Sequence, residues 1–147
     1  MDAGEGVHEL EIFEARAGDR EAVIALWREA GLTQPWNDPV ADFDLALANS
    51  TSTVLIARDG SDAAGTIVVG FDGHRGWVYY LAIAEARRRR GIARLLMQHA
   101  EGWLAALGCP KAQLMVRGEN AAALGFYAAL GYEVQDVFTL GRRLDDR

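Results

Sequence analysis

Four arginines stand in a row, Arg87, Arg88, Arg89 and Arg90, with Arg94 one helical turn further on. They follow the apolar run Leu81-Ala82-Ile83 and lead into Gly91, Ile92 and Ala93, which open a long amphipathic stretch. A strand that ends, a sharp turn and a helix that begins leave several backbone N–H groups unpaired at the helix start. That terminus carries partial positive charge, so it suits a phosphate. Gly91 and Ala93 have little or no side chain and let an anion approach the backbone closely. Flanking guanidiniums would add charge-assisted hydrogen bonds to phosphate oxygens. The same residues would also make a solvated basic turn in which Gly91 merely eases the bend. Spacing alone does not separate the two.

The rest of the chain sets the context. Its 147 residues carry a net charge of −6, whereas a general nucleic-acid binder needs a basic surface. Positive charge gathered at one point of an acidic chain suits a small anion better than a polymer. No apolar run reaches the roughly 18 residues of a membrane span, and residues 1–9 have neither the basic start nor the apolar stretch of a secretory signal. The single Cys109 rules out an internal disulfide and suits a reducing cytoplasm. Length and a 50% hydrophobic content fit one globular domain, expected over residues 10–147 behind a short flexible tail at 1–9.

The elements that must position the basic turn follow from periodicity and punctuation. Leu10 and Ile12 alternate with acidic residues as a first strand. Asp19 is placed to cap a helix that turns Val23, Leu26, Trp27 and Ala30 inward and ends at Gly31. Asp38 followed by Pro39 starts a second helix, with Phe43 and Leu47 inward. Residues 53–57 and 65–71 read as a hairpin around Asp59-Gly60, and a second turn at 72–76 leads into residues 77–83. That last run is apolar enough for a central strand buried on both faces. A helix over 92–107 should turn Leu95, Leu96, His99, Trp103 and Leu107 inward, with Gly108 closing it. Strands at 113–116 and 132–137, a helix at 120–130 and an edge strand at 138–143 complete the expected order. The class is α/β with a mixed sheet and helices on both faces.

Two patterns then stand in order: Arg88-x-x-Gly91-x-Ala93 after a strand, and Asn120-x-x-Ala123-x-x-Phe126-Tyr127-x-x-Leu130-Gly131-Tyr132 after the next. Together they resemble the two signature motifs of the GNAT acetyltransferase superfamily. The resemblance spans residues 10–143. Segments 36–39, 71–76, 79–81 and 107–111 are further similar to the small bacterial acetyltransferases of the YpeA type. The resemblance implies a GNAT-like fold: a mostly antiparallel sheet of six or seven strands, with one parallel splayed pair, flanked by about four helices. It implies acetyl-CoA as acyl donor, no metal, and transfer to a primary amine of a small molecule or a peptide. A non-catalytic acyl-CoA-binding module of the same fold is the alternative. By resemblance, the CoA pyrophosphate rests on Arg88, Arg89, Arg90, Gly91, Ile92 and Ala93, while pantetheine pairs along Leu81, Ala82 and Ile83. Asn120 would bind the pantetheine arm, and Tyr127 would bind the cofactor and act as general acid. Many relatives place glycine where Arg89 stands, so the loop is expected to be slightly altered here.

Acyl transfer to an amine also needs a neutral nucleophile and a site for the oxyanion. A backbone N–H near Ala82 or Ile83 would serve the oxyanion. Taken without the motif, Tyr127 reads as a core aromatic of an amphipathic helix. No base stands out; Glu119, Asp38, Asp72 and His74 are each as readily turn or cap residues. Relatives acting on ribosomal-protein N-termini carry glutamate where Met115 stands, which speaks against that acceptor class. Tyr79 and Tyr80 are expected on opposite faces of their strand, where one could hold a relay water. Trp36, Asn37 and Asp38 are the expected wall of the acceptor pocket, and Asp38 with Asp42 would favour a cationic amine. Trp36 reads alternatively as a hydrophobic plug, His99 as structural and Cys109 as packing. No nucleic-acid or membrane partner is expected, and the oligomeric state is open, a homodimer included.

Overall fold

The computed structural model describes residues 10–145. The expected tail at 1–9 lies outside them. The chain divides into two compact units, one running through Leu114 and one from Met115 onward.

The first unit holds a five-stranded sheet in the order β1-β2-β3-β4-β5. Its strands are β1 (Leu10–Glu14), β2 (Ser52–Asp59), β3 (Asp62–Phe71), β4 (Gly76–Ile83) and β5 (Ala112–Gln113). The first four pair antiparallel, and β4 pairs β5 in parallel. Gly60 takes φ +65° and closes the β2–β3 hairpin, a conformation open to glycine without steric cost. Helices α1 (Arg20–Glu29) and α2 (Pro39–Ala48) join β1 to β2, and α3 (Ile92–Ala106) joins β4 to β5.

Alternation along the strands divides the core into two layers. Val54, Ile56 and Ala82 pack with Val23, Trp27 and Phe43 on the α1/α2 face. On the other face a Cβ added at Gly65 would meet Leu96 of α3 and Ile83. Asp38 caps α2 as expected, its Oδ1 accepting from the Ala41 N–H at 3.2 Å. Asp19 does not cap α1. Its carboxylate accepts from the Arg16 N–H at 2.8 Å, closing a short 3-10 turn, and from Arg58 at 2.7 Å.

The inward stripe of α3 is Ile92, Leu96, Met97, Ala100 and Leu104, rotated from the one expected. His99 and Leu107 are exposed, and His99 bonds its ring to the Leu95 carbonyl. The helix carries apolar residues on most of its faces, so periodicity alone admits both stripes. Cys109 packs at the end of the sheet and its thiol donates to the Lys111 carbonyl at 3.4 Å. A Cβ at Gly76 would lie 2.6 Å from Leu104 Cδ1 and 2.9 Å from Cys109 Sγ. Gly76→Ala is therefore expected to cost about 1–3 kcal/mol by overpacking, read as a lower denaturation midpoint at unchanged slope.

The second unit contains α4 (Ala121–Ala129). Six or seven strands were expected, yet among the described residues no strand forms over 132–137 or 138–143. Val134, Phe138 and Leu140 are 86%, 95% and 89% exposed. An alternating apolar pattern becomes a strand only through partners outside itself, so the pattern alone does not decide the outcome.

Candidate functional site

β5 stops after two residue pairs, Gly76↔Ala112 and Trp77↔Gln113, where a strand over 113–116 was expected. Beyond Trp77 no strand among the described residues pairs with β4 on that side. The expected central strand is thus an open edge over its second half, and Tyr79 is 44% exposed.

A bulge decides which groups that edge presents. Val68 pairs with Tyr79 but Thr66 pairs with Ala82, so Tyr80 and Leu81 together face Ile67. Tyr80 sits at φ +55°, in the left-handed region that bulky residues avoid. Gly76 donates its N–H to Lys111 O at 2.8 Å, toward β5, whereas Ala84 donates to Ala64 O at 2.8 Å, toward β3. Both are even-numbered, so the parity of the strand reverses once between them, at the bulge. Past it Leu81 and Ile83 turn their N–H groups to the open edge, and Ala82 turns into the β3 pairing. The bulge also places Tyr79, partner of Val68, and Tyr80 on the same α1/α2 face. Strict alternation had put them on opposite faces.

Tyr80 stacks on Trp27, with ring centroids 3.9 Å apart and planes 11° from parallel. Its hydroxyl donates to Asp42 Oδ2 at 2.7 Å. Burial first, and then the Asp42 carboxylate, push the phenol well above its ordinary range. Tyr79 is also raised, by burial and then by the charge of Asp72.

The basic turn follows at once. Arg88 Nε donates to the Ile83 carbonyl at 3.3 Å, tying the turn to the open edge. Arg87 is committed elsewhere: it pairs Asp59 and Asp62, each at 3.0 Å. Arg88, Arg89 and Arg90 are exposed. Gly91 takes φ +79° as the N-cap of α3. No side chain caps this helix and no acidic residue sits in its first turn, whereas α2 and α4 are capped by Asp38 and Asn120. The first amides of α3 are thus left to an outside acceptor, with Arg94 beside them. A Cβ at Gly91 would meet nothing within 4 Å, so the glycine is required for its left-handed backbone and not for room.

Arg89 takes φ +68°. This is a conformation that glycine favours, adopted here by an arginine. Arg89→Gly should then raise stability by up to about 1 kcal/mol in chemical denaturation, since a side chain in this region costs about 1–2 kcal/mol.

Other residues singled out by the sequence fall as follows. Trp36, in the loop between α1 and α2, is 54% exposed and does not plug the core. Asn37 and Asp38 beside it are half-buried. Asp72 Oδ1 accepts from the N–H groups of His74 and Arg75 at 2.8 and 2.7 Å. Those two bonds, that from Arg75 the stronger, hold its carboxyl below the usual range and engage it in its own turn. His74 is exposed. Among the described residues no three His, Cys, Asp or Glu cluster as metal ligands. No helix there is long and apolar enough to cross a membrane.

In the second unit Asn120 caps α4, its Oδ1 accepting from the Ala123 N–H at 3.0 Å. Tyr127 lies two turns further along the helix, edge-on to Phe126 at 5.0 Å and to Tyr132 at 6.0 Å. Burial raises its phenol above the ordinary value. Glu119 and Met115 are exposed.

Residues 12–132 match the Acetyltransferase (GNAT) family, and the chain belongs to it. It is 45% identical over 140 residues, covering 95% of this chain and 98% of the relative, to an acetyltransferase of Pectobacterium atrosepticum. Its fold is similar to that of the aminoglycoside acetyltransferase AAC(6')-Iy solved with a bisubstrate analogue of CoA, at 18% identity and TM-score 0.79, covering 91% of this chain and 97% of that one. It is similar as well to a predicted acetyltransferase of Clostridium acetobutylicum solved with acetyl-CoA, at 15% identity and TM-score 0.75, covering 90% of this chain and 96% of that one. The missed feature is the bulge at Tyr80, for which the sequence carries no glycine signal.

Proposed function

We propose that this protein transfers an acetyl group directly from acetyl-CoA to a primary amine of a small molecule or a peptide. The observation that carries the reading is the uncapped start of α3, which offers its amides behind a left-handed Gly91 and between exposed arginines. In this reading the CoA diphosphate lies on the N–H groups of residues 91–94 with Arg88, Arg89 and Arg90 around it. The pantetheine arm pairs with the open edge of β4 through Leu81 and Ile83. One of those two N–H groups binds the oxyanion; Ala82 is unsuited, because its N–H is turned into the sheet. Asn120 keeps its amide N–H groups outside the cap that its oxygen makes, so it can donate to a pantetheine carbonyl.

The acceptor must lose a proton before it attacks, and an alkyl amine titrates near 10.4. Asp72 is a poor base, being held ionised by its turn, and Asp38 is occupied by α2. With those two of the four candidates set aside, water is the proposed acceptor of the proton, ahead of the solvent-exposed Glu119 and His74. Tyr127 is the proposed donor to the departing thiolate. Trp36, Asn37, Tyr79 and the Asp42-Tyr80 pair are proposed to face the acceptor. The single cysteine suits a cytoplasmic setting.

The test is purified protein with acetyl-CoA and a panel of amines, followed by free thiol and by the mass of the acetylated product. Amine-dependent thiol release supports the reading. Tight acetyl-CoA binding with no amine-dependent release across the panel would favour a binding module instead.

A further inference from the structure

The bulge in β4 needs a cause. A tyrosine in the left-handed region is disfavoured, and such a conformation persists only where the surroundings over-determine it. Here they do so at two points. The ring face of Tyr80 lies against Trp27, a fully buried side chain of α1. The ring tip donates a hydrogen bond to Asp42 Oδ2 of α2 at 2.7 Å. α2 is itself fixed by the Asp38 cap at its start and by Ser52 Oγ donating to Ala46 O at 2.8 Å near its end. Face and tip together leave the Tyr80 backbone little freedom to return to the extended region.

We infer that Tyr80, clamped between Trp27 and Asp42, is a positioning residue that sets the phase of β4, so that the amides of Leu81 and Ile83 face the open edge. Without the bulge the parity seen at Gly76 would continue, and Tyr80 and Ala82 would face that edge in their place. The clamp acts on the acyl and pantetheine end of the donor and not on the turn at residues 88–93. This rests on the proposed binding of acetyl-CoA along β4, and the experiment separates the two.

Binding of two probes is measured by calorimetry: acetyl-CoA, and 3′-phosphoadenosine 5′-diphosphate, which keeps the diphosphate and lacks pantetheine. Tyr80→Phe keeps the ring stack and removes the bond. It is expected to weaken acetyl-CoA by about fivefold, the worth of one hydrogen bond, and to leave the shorter probe within about twofold. Asp42→Ala should match it, and the double variant should be no worse than either single one, because both remove the same bond. Asp42→Asn keeps an acceptor and should restore most of the affinity. Amide exchange resolved at Leu81 and Ile83 should lose its acetyl-CoA-dependent protection in Tyr80→Phe and keep it in Asp42→Asn. Unchanged acetyl-CoA affinity in Tyr80→Phe, or equal loss for both probes, overturns the inference. So does an Asp42→Asn variant as weak as Asp42→Ala, which would make charge the operative property. If the unaltered protein binds neither probe, the acetyl-CoA reading itself fails.

Discussion

Gly91→Val is expected to weaken CoA binding by about thirtyfold, close to 2 kcal/mol, while leaving the fold intact. The residue stands at φ +79°, where a β-branched side chain is strongly disfavoured. The space above it is open, with nothing within 4 Å of an added Cβ, so no clash unfolds the protein. Valine instead drives the backbone out of the left-handed region and swings the first amides of α3 away from their common focus. Gly91→Asn is the control, because asparagine tolerates this region better, and it should lose much less. Calorimetry with CoA and a thermal melt distinguish lost binding from lost fold. Valine binding as tightly as glycine would contradict the phosphate reading.

The second large effect is expected on turnover. Tyr127→Phe should lower kcat by about a hundredfold, as removal of a general acid commonly does, with CoA affinity within about twofold. Acidity alone does not drive the transfer. A phenol near 10 lies above a thiol near 8.5, so the step is uphill by about 2 kcal/mol in water, and burial of Tyr127 widens the gap. The proton must move as the carbon–sulfur bond breaks, drawn by charge developing on sulfur. The raised phenol also fixes the pH profile. Because its folded-state value is raised, Tyr127 stays protonated past neutrality, so loss of this acid cannot produce a falling limb between pH 7 and 9. With water taking the amine's proton, kcat/KM for an alkyl amine should rise across that range. A descending limb there, abolished in Tyr127→Phe, would mean a different environment for the phenol. Equal loss of kcat and of CoA affinity would reduce Tyr127 to a packing residue.

Much of this architecture is legible in single residues. Asp38-Pro39 announces a helix start through local chemistry, and the Asp38 side chain makes the expected cap; Asn120 also caps its helix, a role its place at the start of 120–130 permits. Gly31, Gly60 and Gly108 mark stops and turns at positive φ, where their sequence context placed them. Gly91 before Ile92 likewise marks the start of α3, and so the candidate anion site. What escaped depends on partners distant in sequence. Asp19 has the position of a cap, but Arg58 and the Arg16 amide compete for its carboxylate. The face that α3 buries is chosen by packing against β3 and β4, not by its own pattern. The bulge at Tyr80 is held by Trp27 and Asp42, which lie 53 and 38 residues earlier, and nothing local predicts it. The parity of β4, and with it the amides available for chemistry, is therefore a tertiary property.

The most direct measurement is a titration of isotopically labelled protein with CoA, following backbone amide resonances. Amides donated to phosphate oxygens should move downfield and saturate together, and the largest shifts are expected at Gly91, Ile92, Ala93 and Arg94, with Leu81 and Ile83 following as pantetheine pairs with the edge. Saturable binding that leaves residues 91–94 unmoved, or shifts confined to another part of the chain, would contradict the placement of the diphosphate at the start of α3.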